Sequence, residues 1–158
     1  MQNCLPGQNG GVRYVHTNLV AKDWRRLATF YCEAFGCVPV PPERDFQGEA
    51  LDKGVGFEGA HLTGMHLRLP GWGDHGPTLE VFSYNVLAPT DSKAVNCPGF
   101  GHIAFLVDNV PEARTKVLSL GATPIGEVVT LTTATGRNCM WCYLADPEGN
   151  AIEIQSWD

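Results

Sequence analysis

A weak internal repeat runs through the chain, and a duplicated unit narrows the possible folds before any single residue is read. RYVHTNLVAKDWRRLATFYCEAFGCVPV near the start and GFGHIAFLVDNVPEARTKVLSLGATPIG further on share one plan. In each, a β-rich run containing a histidine leads through an aspartate, a helix-like stretch and a glycine to a short extended piece. Asp23 to Gly36 and Asp108 to Gly121 are spaced identically. Asp23 and Asp108, or its neighbour Asn109, can accept from the free amides of a helix start, and Pro111 suits a first turn. Trp24, Leu27, Tyr31 and Ala34 recur at helical spacing, as do Val110, Ala113, Val117 and Leu120. Gly36 and Gly121 stand where a left-handed residue closes a helix. Each repeat therefore predicts one amphipathic helix.

Strands are predicted near 58–69, 78–84, 123–131, 138–145 and 151–156, joined by the turn-rich PGWGDHGP and ADPEGN. PGWGDHG lacks the strand-to-helix setting of a phosphate loop and reads as a turn. The stretch from Pro41 to Gly59 is less regular and reads as a surface excursion. The expected architecture is an α+β single domain over 1–158, built from two βαβββ modules at 12–85 and 98–156. Their curved mixed sheets, each covered by a helix on one face, would enclose a shared trough with the other, and a trough is the natural ligand site.

The chain has 158 residues, enough to bury a core without disulfide or metal staples. A net charge of -6 with no basic patch argues against nucleic acid and anionic membrane as partners. The first twenty residues lack the basic start and apolar run of a secretory signal, and no run is long enough to span a bilayer, so a cytoplasmic protein is expected. The six cysteines read as reduced. Cys139 and Cys142 form a C-x-x-C within CMWCYLA, where strand alternation sends the two thiols to opposite faces.

Alternation also singles out four polar residues. His16 shares a strand face with Asn18, opposite Val15 and Leu19; Glu80 stands between Leu79 and Val81; His102 lies between Gly101 and Ile103; Glu153 lies between Ile152 and Ile154. A strand histidine is more often structural than a ligand, and a strand carboxylate is often a solvated edge charge. As a set they mean more: each repeat supplies a histidine from its first strand and a glutamate from its last. Met65, Leu67 and Leu69 share one face, which leaves His66 and Arg68 on the other, where Arg68 could bind an anionic substrate group or equally be a solvated or salt-bridged strand residue. His61 and His75 read as surface residues.

The runs around His16, Glu80 and His102, with DPEGNAIEI at the end, resemble the vicinal oxygen chelate superfamily, which includes glyoxalase I. The resemblance covers nearly the whole chain. Its most specific part is the ending, where the glutamate three residues after the asparagine of the D-P-x-G-N turn is the last metal ligand, here Glu153. It implies a glyoxalase-like fold, frequently a homodimer, with one divalent ion held by His16, Glu80, His102 and Glu153. Two imidazoles and two carboxylates suit Zn, Ni, Co, Mn or Fe(II) alike. The implied activity is that of a lyase or isomerase of the lactoylglutathione lyase type. Such an enzyme takes a proton from beside a carbonyl of a small oxygenated substrate and stabilises the enolate with the metal, with Glu153 as base and Glu80 as the alternative. Two positions depart from glyoxalase I: Val20 replaces a glutathione-binding arginine, and Tyr84 replaces an asparagine. A valine cannot pair with a glutathione carboxylate, so a different substrate is expected, with Arg68, His66 and Tyr84 as candidate contacts. The same superfamily offers two other readings. One is a non-catalytic protein of the bleomycin-resistance type that sequesters a small molecule; the other is an Fe(II) dioxygenase, against which Glu80 counts as an additional ligand.

Overall fold

The computed structural model describes residues 13–90 and 93–158. Of the unit expected over 1–158, residues 1–12 and 91–92 lie outside the described residues. So do Cys4, residue 12 at the start of the first expected module, and the opening of the stretch read for a secretory signal.

The first half consists of β1 (His16–Val20), α1 (Trp24–Phe35), β2 (Val38–Gln47), α2 (Glu49–Val55), β3 (His61–Arg68) and β4 (Thr78–Tyr84). The second consists of β5 (Ile103–Leu106), α3 (Val110–Ser119), β6 (Thr123–Pro124), β7 (Val129–Thr132), β8 (Asn138–Ala145) and β9 (Ala151–Trp157). The first sheet has the order β1-β4-β3-β2 and the second β5-β9-β8-β6, with β7 also on β8. In each, the first strand lies parallel to the last (β1 with β4, β5 with β9) and the other pairings are antiparallel. This is the doubled βαβββ plan that the repeat implies. No helix among the described residues is long and apolar enough to cross a membrane.

The α1 caps fall where the repeat places them, whereas α3 is closed at Leu120, one residue before the expected Gly121, which itself takes φ 105°. Asp23 accepts from the Arg26 amide at 3.1 Å, and Asn109 rather than Asp108 caps α3 by accepting from the Glu112 amide at 3.0 Å. Gly36 closes α1 at φ 72°, a backbone conformation that side chains disfavour.

Two expectations need correction. The stretch from Pro41 to Gly59 is not an irregular excursion, because β2 and α2 occupy most of it. Pro39, Pro41 and Pro42 hid the strand; it pairs with β3 alone, and the register shifts between Val40 and Arg44, so an edge strand with a bulge tolerates residues that cannot donate. The strand expected at 123–131 is divided into β6 and β7, because the amides of Ile125 and Gly126 both turn to the Tyr143 carbonyl and break the ladder. Val15, grouped with Leu19 by alternation, precedes β1 and is exposed.

One apolar core runs through both halves. Leu27, Tyr31, Leu67, Leu79 and Val81 from the first half belong to the same cluster as Val110, Val117, Leu144, Ile152 and Ile154 from the second. Phe35 of α1 stacks on Phe105 of β5 with ring centroids 3.9 Å apart and planes within 5°. Beside them the Tyr31 hydroxyl donates to Asp146 at 2.9 Å, a buried bond between the halves. Asp146 also accepts from the amides of Glu148 and Asn150 and from the Asn150 side chain, so the ADPEGN turn is organised around it.

The cysteines follow their strands. Cys142 is part of the core, while Cys139 lies on the other face with its Sγ 3.5 Å from the Gln155 side-chain oxygen. Burial pushes both thiols up, and pushes Cys37 up to about 12.

Tyr31→Phe removes one donor from the buried Asp146 and should lower the unfolding free energy by about 1–3 kcal/mol, read as a lower urea midpoint at unchanged slope. A thiolate is the reactive form of cysteine. Alkylation at pH 8 followed by peptide mass spectrometry should therefore leave Cys37 and Cys142 unlabelled in the native protein and label both in urea; equal labelling rates in the two conditions would contradict the packing described.

Candidate functional site

The two faces of each sheet have different jobs. In the first sheet Leu67, Leu79 and Val81 point into the core, so His66, Thr78 and Glu80 point to the opposite face, with His16 and Asn18 of β1 beside them. Register puts Glu80 between two neighbours: Asn18 of β1 on one side and His66 of β3 on the other. Glu80 is 9% exposed, and three donors meet its carboxylate. Nε2 of His16 lies 3.3 Å from Oε2, the Asn18 amide donates to the same oxygen at 3.3 Å, and Nε2 of His66 lies 2.8 Å from Oε1. Nδ1 of His66 is 3.0 Å from the Thr78 hydroxyl. Burial holds His66 below the usual imidazole range, with Arg44 and His16 adding to the effect against the pull of Glu80. A neutral ring accepting from Thr78 at Nδ1 donates from Nε2 to Glu80.

The second sheet repeats the arrangement. Cys142, Leu144, Ile152 and Ile154 face the core, and Tyr143, Glu153 and Gln155 face away. Nε2 of His102, immediately before β5, lies 3.2 Å from Oε2 of Glu153. Tyr143 stands opposite Glu153 in register. Burial first, then the charge and nearness of the Glu153 carboxylate, push the Tyr143 phenol up.

The four expected ligands are thus brought together as two pairs. Among the described residues, no group of three or more His, Cys, Asp and Glu side chains is gathered so as to hold a metal ion. A cavity of about 680 Å³ between the edges of β1 and β5 is lined by both His16 and His102, and neither glutamate is on its wall. The separation within each pair is that of a hydrogen-bonded ion pair and is also compatible with two neighbouring ligands of one divalent ion. Donors bound at about 2.0–2.2 Å on adjacent coordination corners lie roughly 3 Å apart, close to the 3.3 and 3.2 Å observed. Both imidazoles are accessible, with 42% and 35% of their side-chain surface exposed.

The candidate substrate contacts divide. His66 turns onto Glu80. Arg68 is paired with Asp74 at 3.0 Å, so its charge is already answered. Tyr84 lines a separate cavity of about 910 Å³ with Val20 and Phe57, the two departure positions sharing one wall. His61 pairs with the exposed Asp45 at 2.7 Å, as suits a surface residue. The reading of the sequence missed Tyr143 and Thr78. The signal for Tyr143 was present in the repeat, since Tyr143 stands to Glu153 as His66 stands to Glu80.

Comparisons with known proteins agree with this fold. A glyoxalase family protein of Bacillus cereus superposes with a TM-score of 0.77 at 18% identity, covering 95% of this chain and 97% of that one. The trypanothione-dependent glyoxalase I of Leishmania major gives 0.60 at 23% identity, over 92% and 87%. A glyoxylase/bleomycin resistance protein/dioxygenase domain from Frankia gives 0.56 at 15%, over 95% and 99%. Identities this low show a common fold. No curated protein sequence matches the chain. The family described as glyoxalase-like domain matches residues 16–155, nearly everything from the first strand to the last. With the doubled βαβββ plan, that match means the chain belongs to the glyoxalase-like domain family, within the vicinal oxygen chelate superfamily.

Proposed function

We propose that the protein is a metal-dependent lyase or isomerase that removes a proton from beside a carbonyl of a small oxygenated substrate. Its site would be completed by two copies of the chain, His16 and Glu80 of one copy sharing a divalent ion with the His102–Glu153 pair of the other. The observation that carries this reading is the repeated geometry: a histidine nitrogen and a glutamate oxygen 3.3 Å apart in one half and 3.2 Å in the other, on equivalent strands. Each pair is closed within its own half and each imidazole is accessible, which supports completion by a second copy. When bound, the ion would supply positive charge beside two substrate oxygens.

The surroundings of the two glutamates support different roles. Glu80 is met by Asn18, His16 and His66 and is suited to staying in place. Among the described residues Glu153 has His102 at 3.2 Å and Tyr143 across from it in register, fewer partners than Glu80, and is suited to leaving its position and taking the substrate proton. The larger cavity favours an apolar substrate portion, since Val20, Phe57, Tyr84, Val86 and Leu87 form much of its wall. Arg68, occupied by Asp74, does not replace the missing partner for a peptide carboxylate.

Metal analysis of the purified protein should find about one divalent ion per chain. Metal-free protein that takes up none on incubation would instead favour a sequestering protein. In deuterium oxide, exchange at the carbon beside the carbonyl, screened over α-hydroxyketones and hemithioacetals of 2-oxoaldehydes, should fall about 10²–10⁴-fold in Glu153→Gln; undiminished exchange in that variant would remove Glu153 as base. Two-copy assembly has its own test. A His16→Ala/Glu80→Ala chain and a His102→Ala/Glu153→Ala chain should each lack the site, while co-expression should restore metal binding to one site per mixed dimer. If the mixture binds no more metal than the separate chains, the site is not shared between copies.

A further inference from the structure

His66 and Tyr143 hold equivalent places in the two repeats, and neither is needed to explain the fold. Each lies on the strand antiparallel to the glutamate strand and directly opposite the glutamate: His66 across from Glu80, Tyr143 across from Glu153. His66 meets its carboxylate at 2.8 Å, and the Tyr143 phenol lies within the field of the Glu153 charge. Each ring also lies against the histidine of its own pair, with centroids 5.9 Å apart for His66 and His16 and 5.0 Å for Tyr143 and His102. One side chain therefore lies beside both members of each pair, in two segments whose local sequences, GMHLR and CYLAD, have little in common.

We infer that His66 and Tyr143 are positioning residues that orient the two glutamates toward their histidines for ion binding, an inference that rests on the metal-dependent reading above. In the first half the division of labour is visible atom by atom. His66 takes Oε1 of Glu80 at 2.8 Å, and Oε2 faces His16 with the Asn18 amide donating to the same oxygen at 3.3 Å. A carboxylate held by one oxygen presents the other in a single direction, so less conformational freedom is lost on binding. The two supports also differ in stiffness. Thr78, His66 and Glu80 form a chain of three linked groups, whereas Glu153 has the Tyr143 side chain across from it in register without such a chain behind it. The tighter support falls on the glutamate assigned to remain, the looser on the one assigned to move.

Cobalt(II) alone is a sufficient probe, titrated into metal-free protein and followed by its visible absorption. His66→Ala and Tyr143→Phe should each weaken binding about 10–100-fold and shift the cobalt bands, as loss of an outer-shell partner does. His66→Gln, which keeps a donor near the position of Nε2, should recover most of the affinity. Tyr143→Phe removes one oxygen atom, so it remains informative should His66→Ala fail to fold. If the wild type binds cobalt and Tyr143→Phe binds it within twofold with the same spectrum, the positioning role falls while the metal-dependent reading stands. If the wild type binds no cobalt, or His16→Ala binds it as tightly as the wild type, both fall.

Discussion

Placing a carboxylate in the interior of a sheet is costly unless hydrogen-bond donors meet it. Glu80 satisfies that condition through both flanking strands, Asn18 and His16 from β1 and His66 from β3. Glu153 has His102 at 3.2 Å and Tyr143 across from it in register. Everything functional depends on this, because neighbouring strands fix each carboxylate beside an imidazole whose nitrogen, when unprotonated, offers a lone pair in the same direction as the carboxylate oxygen. The parallel pairing of first and last strand makes the arrangement possible. It brings the histidine end of the module beside the glutamate end, with the helix covering the opposite face.

The halves are joined by more than apolar contact. Oε1 of Glu148 accepts from the backbone amides of Lys22 and Asp23 at 3.0 and 3.1 Å, which brings a carboxylate from the ADPEGN turn to the start of α1. Negative charge is favoured at a helix N-terminus. The same turn carries Asp146, whose buried bond to Tyr31 grips α1 one face further along. A segment legible only as a turn thus locks the second module onto the helix of the first, and it does so immediately before the strand that carries Glu153. The position of that glutamate relative to the first half is therefore set by neighbouring residues in the chain.

Much of this was legible in the sequence because it rests on local periodicity. The caps at Asp23 and Gly36, the helical faces, and the alternation that turns His16, Glu80, His66 and Glu153 away from the core are all written within a few residues. What escaped notice depends on the neighbouring strand. The prolines concealed β2, since a strand paired on one side only obeys different rules from one paired on both. Tyr143 drew no attention because its meaning lies in standing opposite Glu153. Arg68 looked available until the 3-10 turn at Gly73–His75 brought Asp74 to it. That the four expected ligands form two pairs depends on how the sheets sit against each other, which periodicity within one strand does not encode.

The winding of each module has a consequence for how the chain reaches its final form. Each histidine lies on the first strand of its module or immediately before it and each glutamate on the last, so neither pair exists until its sheet has closed on itself. Contacts between such distant segments form late, after the entropy of closing the intervening loop has been overcome. A cation captured by either pair would recognise the closed sheet and not its precursors, and by mass action would draw the folding equilibrium toward closure. Each pair would then act as a latch that engages last and, once engaged, holds the winding shut.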